Sequence, residues 1–176
     1  MYQQYSKLKK FVKYLDKTQI DTILDNARKV NKRDYLILLT LWKTGMRCNE
    51  LTHLKKKDIK IDEITIRQGK GSKDRLIPID TSLGDLLNLY AGDMTLEDIL
   101  FPLSNAQVRN IVHKHQGELD VHPHTFRHSF SLHCLKSGMN LRSLQKILGH
   151  SNLDTTAIYL DIVADDIKND YKKVHW

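Results

Sequence analysis

The sequence predicts a mainly α-helical domain with one small three-stranded antiparallel sheet, an α+β protein dominated by its helices. Three observations predict it. Apolar residues recur at three- and four-residue spacing through most of the chain. That period breaks once, where "IKIDEITIRQ" and "DRLIPID" alternate apolar with polar residues on either side of the turn "GKGSKD". The length of 176 residues, 40% of them hydrophobic and 28% charged, is ample for one core and short for two.

Each element has a local reason. Thr18 to Asp21 forms a loose capping box ahead of "IDTILDNA", which places a first helix over about Gln19 to Arg28. Asn31 caps a second, "KRDYLILLTLWKT", and Gly45 ends it in a left-handed turn. Its apolar run "YLILLTLW" is too short to cross a bilayer and reads as a buried helix. "RCNELTHL" makes a short third helix that opens on an arginine. Beyond the sheet, helical spacing returns in "TSLGDLLNLYA", "TLEDIL", "SNAQVRNIVHKHQ", "PHTFRHSFSLHCLKSG", "NLRSLQKILGH", "NLDTTAIYL" and "VADDIKNDYKK". Pro123 suits the first turn of its helix and Gly138 the position just past the end.

Composition bounds the function. Lysines and arginines outnumber acids 28 to 21, a net charge of +7 that favours a polyanionic partner through counterion release. Runs such as "KKKDIK" read equally well as a solvated face. Two cysteines, Cys48 and Cys134, are too few for a disulfide scaffold, and "MYQQYSKLKKF" lacks the apolar segment of a secretory leader. A cytoplasmic protein with no membrane partner is the expectation.

The chemistry-bearing residues lie in four segments. Arg47 follows a glycine turn in "TGMRCNEL", a position that is ordinary by itself. Lys70 and Lys73 flank glycines in the hairpin, where a lysine can act as a point charge or proton donor to phosphate, or simply solubilise the tip. On the helix opened by Pro123, His124 and Arg127 share a face and together can hold a phosphate while one of them handles a proton; His128 beside them reads as a packed core histidine. Arg127 is expected to face that phosphate rather than the core. Nine histidines include two H-x-H pairs, but no H-E-x-x-H and no cysteine pair accompanies them, and an arginine amid the cluster disfavours a cation. Tyr159 stands nine residues after His150 in "LGHSNLDTTAIYLD". A phenol is a poor nucleophile in water, yet beside arginines and a histidine its attack on phosphorus becomes feasible.

"TGMRCNEL", "GKGSKDRLIPI", "HTFRHSF" and "LGHSNLDTTAIY" resemble, in that order and at similar spacings, the boxes of the tyrosine recombinases, the integrase and Xer-type family. The similarity runs from about Leu15 to Tyr159. It implies the catalytic-domain fold of that family and site-specific DNA strand exchange. By resemblance, Arg47 and Arg127 clamp the scissile phosphate, His124 and His150 hydrogen-bond it and help move a proton, Lys70 is the general acid toward the 5′-oxygen with Lys73 as second choice, and Tyr159 is the nucleophile that forms a 3′-phosphotyrosyl bond. Glu50, one turn beyond Arg47, either orients that guanidinium or is an exposed surface acid, the reading preferred here. The resemblance implies double-stranded DNA as partner, a synaptic tetramer, a Holliday junction, and neither cofactor nor catalytic metal.

Departures from the family pattern are visible. Members carry about one hundred residues of core-binding domain ahead of the catalytic domain; here residues 1–14 read as an N-terminal extension and 15–176 as the catalytic domain, with the core-binding domain absent. Asp161 stands where many members have a histidine, and the segment after Tyr159 is short. Two other activities fit the same residues: DNA relaxation of the type IB topoisomerase kind, and a DNA-binding accessory role without chemistry.

Overall fold

The computed structural model describes residues 13–67 and 74–149. Helix α1 (Lys17–Val30) starts two residues before the sequence-based reading because Asp16, not Thr18, caps it: the Asp16 carboxylate accepts from the Gln19 amide at 2.8 Å, and the Gln19 side chain accepts from the Asp16 amide at 3.1 Å. Ile20, Ile23, Leu24 and Ala27 make its buried stripe. Helix α2 (Lys32–Thr44) begins as expected, with Asn31 accepting from the Arg33 and Asp34 amides, and ends at Gly45 with φ of 59°. Its residues Leu36–Leu41 are buried all round, since α1, α5 (Asn105–His115) and α6 (Pro123–Lys136) pack on it. Thr40 and Thr44 are tolerated there because each hydroxyl donates back to the carbonyl four residues earlier.

The short α3 (Cys48–Leu51) follows, then a 3₁₀ turn at Lys56–Asp58. Strands β1 (Glu63–Ile66) and β2 (Arg75–Pro78) pair antiparallel, with Ile64 opposite Ile77 and Ile66 opposite Arg75. The expected third strand is reduced to a single bridge from Ile59 to Ile64, because the chain turns back at once: the Lys60 amide donates to the Glu63 carbonyl at 2.9 Å. Among the described residues the sheet therefore has two strands, within the α+β class the sequence predicts.

Helix α4 (Thr81–Ala91) is capped by Asp80, but "TLEDIL" is not a helix. Its Leu96 and Asp98 carbonyls accept from the Lys57 and Lys56 amides, and the Leu100 amide donates to Leu54. A neighbouring segment thus takes the backbone groups that a helix would pair internally. Helix α5 has the Ser104–Gln107 capping box, and α6 opens on Pro123. Helix α7 (Leu141–Leu148), capped by Asn140, ends at Gly149 with φ of 66° and packs on α6 and β2. No described helix is long and apolar enough to cross a membrane, and Cys48 and Cys134 are both free thiols. The readings at "NLDTTAIYL" and "VADDIKNDYKK" lie outside the described residues.

Candidate active site

The site forms where four chain segments meet: the turn after α2, the inward face of β2, the N-terminal half of α6 and the C-terminal end of α7. The last carbonyls of a helix have no partner inside it, and the end carries partial negative charge. Here arginines supply the donors in succession. Arg75 Nε donates to the Ile147 carbonyl at 2.7 Å, Arg127 Nη2 to Leu148 at 2.8 Å, and Arg47 Nη2 to Gly149 at 3.5 Å. Arg127 Nη1 also donates to the Gly45 carbonyl at 2.7 Å, so it ties the end of α7 to the turn that delivers Arg47.

Gly45 is required at that turn twice over. Its φ is positive, and a β-carbon there would lie 2.4 Å from the Phe130 ring. The ring of α6 thereby sets how closely the turn can approach Arg127, which lies three residues before Phe130 on the same helix.

Glu50 balances part of this charge. Its carboxylate accepts both terminal nitrogens of Arg75 at 2.8 Å each, Arg47 Nη1 at 3.0 Å and the Arg47 amide at 2.7 Å. Burial pushes the Glu50 carboxyl up, but the hydrogen bonds from Arg75 and Arg47 outweigh that and hold it below the ordinary glutamate value. The exposed-acid reading of Glu50 is therefore corrected: only 12% of its side chain is accessible, and it orients Arg47.

Arg127 is corrected in the same sense. It is 5% exposed and donates to two backbone carbonyls, so it belongs to the packed interior as well as to the site. Arg47 is half-exposed. His124 sits one turn before Arg127 on the exposed side of α6; desolvation by the surrounding protein, then Arg127 and then Arg47, lower its imidazole from the usual value. His124 and Arg127 share one face of α6, and Arg127 holds the Gly45 turn that leads into Arg47. His128 is half-buried, and burial, His124 and Arg127 lower it likewise.

The structure thus brings Arg47, His124 and Arg127 together. Lys70, Lys73, His150 and Tyr159 lie outside the described residues. Arg75 escaped sequence reasoning, although a signal was present: alternation in "RLIP" puts Arg75 on the same inward face as Ile77, and an arginine at a core position of a strand calls for a buried partner. The other three histidines of the two H-x-H pairs go elsewhere. His115 is buried against Asp34, while the His113 and His122 rings meet edge to face with centroids 5.2 Å apart. Among the described residues no group of three or more potential metal ligands converges.

A surplus of guanidinium over carboxylate, partly open to solvent, is suited to an oxyanion such as a phosphodiester. Comparison with known proteins gives the family. The model of the phage integrase family matches residues 13–165. The tyrosine recombinase XerA of Thermococcus kodakarensis is 35% identical over 175 residues, which cover 92% of this chain and 62% of that protein. Of solved structures, the catalytic domain of bacteriophage HP1 integrase superposes with a TM-score of 0.70 at 26% identity, covering 89% of this chain and 94% of that one. The XerH site-specific recombinase bound to its difH substrate in a pre-cleavage complex superposes at 0.66 with 25% identity, over 83% and 50% respectively. This chain spans about three fifths of the length of the XerA relative. With a family model matched across most of its length and the described fold superposing on members of that family, the chain belongs to the phage integrase family, the tyrosine recombinases.

Proposed function

We propose that this chain carries the catalytic centre of a site-specific DNA recombinase or integrase acting in the cytoplasm, and that it breaks and rejoins DNA strands through a 3′-phosphotyrosyl intermediate. The observation that carries the reading is the set of arginines gathered at the end of α7 with His124 beside them, within a family whose relative XerH was solved on its DNA substrate.

In this reading Arg47 and Arg127 bind the two non-bridging oxygens of the scissile phosphate and neutralise the charge that grows as a fifth oxygen approaches phosphorus. Their positions are set before DNA arrives, since Glu50 and the carbonyls of Gly45, Leu148 and Gly149 already hold them. The Tyr159 oxygen attacks phosphorus and its proton passes to a histidine, His124 or His150. His124 suits that role because desolvation, Arg127 and Arg47 all favour its neutral, proton-accepting form. The bond from phosphorus to the 5′-oxygen breaks, and Lys70 supplies the proton that makes a 5′-hydroxyl. One phosphoester has replaced another, so the bond's free energy is kept and no ATP is consumed. Attack by the 5′-hydroxyl of a second duplex reverses the step. Two such rounds among four protomers pass through a Holliday junction.

The test uses the full chain and a pool of nicked duplexes of randomised sequence, labelled at the 5′ end of the strand to be cut, in buffer with EDTA. A labelled, protein-linked band on a denaturing gel that the Tyr159→Phe variant lacks is the expected result. Absence of that band, or a band equally strong in the variant, overturns the reading. Relaxation of supercoiled plasmid by single protomers, without joint molecules, would favour topoisomerase-like activity instead.

A further inference from the structure

Arg75 has no part in the chemistry just described, yet its guanidinium is more completely engaged than that of Arg47. It is 9% exposed on the inward face of β2, and all three of its nitrogens donate: two to the Glu50 carboxylate and one to the Ile147 carbonyl. A buried guanidinium is retained only where its partners are well placed, because hydrophobic packing of the same volume is often no less stable. The partners of Arg75 are unusual in being shared. The oxygen Oε1 of Glu50 that accepts Arg75 Nη1 also accepts Arg47 Nη1, and Oε2, which accepts Arg75 Nη2, also accepts the Arg47 amide. The third donor fixes the last turn of α7, one residue before the carbonyl held by Arg127 and three before His150.

We infer that Arg75 is a positioning residue for strand cleavage, acting through Glu50 on Arg47 and through the Ile147 carbonyl on the segment that enters His150. The inference rests on the function proposed above. A planar fork suits this arrangement because its donors diverge in one plane from three nitrogens and so reach both carboxylate oxygens and a carbonyl; an ammonium has three donors on a single nitrogen and cannot span all three acceptors in that geometry. The backbone is shaped around it as well. A β-carbon on Gly149 would lie 2.9 Å from Arg75 Cδ and 3.0 Å from Nε, so the glycine both ends α7 and lets the guanidinium stem lie against the chain. Without Arg75 the Glu50 carboxylate keeps Arg47 as its partner, and against Arg47 turning further onto it and away from the phosphate stands the long 3.5 Å hydrogen bond to the Gly149 carbonyl. Displacements of about 1 Å in a reacting geometry cost on the order of 100-fold in rate.

The experiment measures three quantities for the full chain and for Arg75→Met and Arg75→Lys: the thermal midpoint, the affinity for the duplex pool, and the single-turnover rate of covalent adduct formation, assayed well below each variant's own midpoint. The expected result is DNA affinity within about threefold of the parent for both variants, with adduct formation roughly 100-fold slower in Arg75→Met and intermediate in Arg75→Lys. Adding Glu50→Gln to Arg75→Met should cost far less than the two single losses multiplied, as for residues acting as one unit. Should Arg75→Met not fold, Arg75→Lys alone decides: a folded, DNA-binding variant that cleaves at the parent rate overturns the inference. A rate loss that tracks only the unfolded fraction, or multiplicative losses with Glu50→Gln, also overturns it and leaves the recombinase reading standing. A parent chain that forms no adduct fails that reading first, and the inference with it.

Discussion

Two buried carboxylates in this molecule are paired by the same chemistry and put to different ends. Asp34, in the first turn of α2, is 1% exposed; its oxygens lie 3.1 Å from His115 Nε2, 3.1 Å from Arg33 Nη2 and 3.3 Å from Lys114 Nζ. Burial raises its carboxyl, but hydrogen bonds from His115, Arg33 and Lys114 more than offset this and hold it below the ordinary aspartate value. The arrangement closes a seam between α2 and α5, and Arg33 and Lys114 carry their stems out toward water. Glu50 instead shares its charge between Arg47 and Arg75, each of which also reaches the end of α7, where Arg127 adds a further guanidinium. The lesson is that a buried ion pair does not mark chemistry. What distinguishes the second region is that its guanidiniums converge on one helix end through shared partners, whereas Arg33 and Lys114 splay away from Asp34 toward water.

The largest effect should come from Arg127→Ala. Removing a donor aimed at developing charge costs about 100- to 1,000-fold in rate. Because two buried carbonyls also lose a charged donor, the variant should unfold about 3 kcal/mol more easily. Single-turnover cleavage and urea unfolding check both halves; a variant that keeps its stability would contradict the burial of Arg127 described here.

Asp34→Asn sharpens the comparison from the other side. Breaking one partner of a buried pair should cost about 3 kcal/mol at neutral pH, while cleavage per folded molecule stays at the parent rate. The sign with pH follows from linkage. The native carboxyl is held below its unfolded value, so its contribution is present above the ordinary aspartate range and lost as pH falls through the depressed native value. The stability gap between parent and Asp34→Asn should therefore narrow as unfolding is repeated from pH 7 down toward pH 3. A gap that widens toward acid would refute the pairing.

A glycine pair gives the smallest and most local contrast. Gly45→Ala meets both a positive φ and the Phe130 ring at 2.4 Å, and should cost about 2 kcal/mol together with a measurable loss of cleavage, since the Gly45 carbonyl anchors Arg127. At Gly138, with φ of 87° and no atom within 4 Å of an added β-carbon, alanine should cost about 1 kcal/mol of backbone strain and leave cleavage unchanged. Equal effects of the two on cleavage would remove the link from that turn to the site.

What could be read from the sequence follows the range of the interactions concerned. The Asn31 cap, the Gly45 stop, the Pro123 start and the buried run of α2 depend on residues within a few positions of one another, and they stand where expected. "TLEDIL" and the third strand differ from expectation because their backbone groups are satisfied by the Lys55–Lys57 segment and by a tight turn, neither of which leaves a periodic trace. The site divides the same way. Arg47, His124 and Arg127 are legible in their motifs, but the burial of Arg127 and of Glu50 comes from carbonyls and guanidiniums tens of residues away. Arg75 shows the limit most plainly: the strand pattern turned it inward, and only the fold reveals that Glu50 and Ile147 wait for it.

The proposed role of these guanidiniums is a covalent exchange at phosphorus. The most direct test is to trap the adduct on nicked DNA, digest it with nuclease and protease, and identify the modified peptide by mass spectrometry. The account predicts a nucleotide joined through its 3′-phosphate to the Tyr159 oxygen. Attachment at any other side chain, or strands released with free 3′-phosphate ends and no modified peptide, would contradict it.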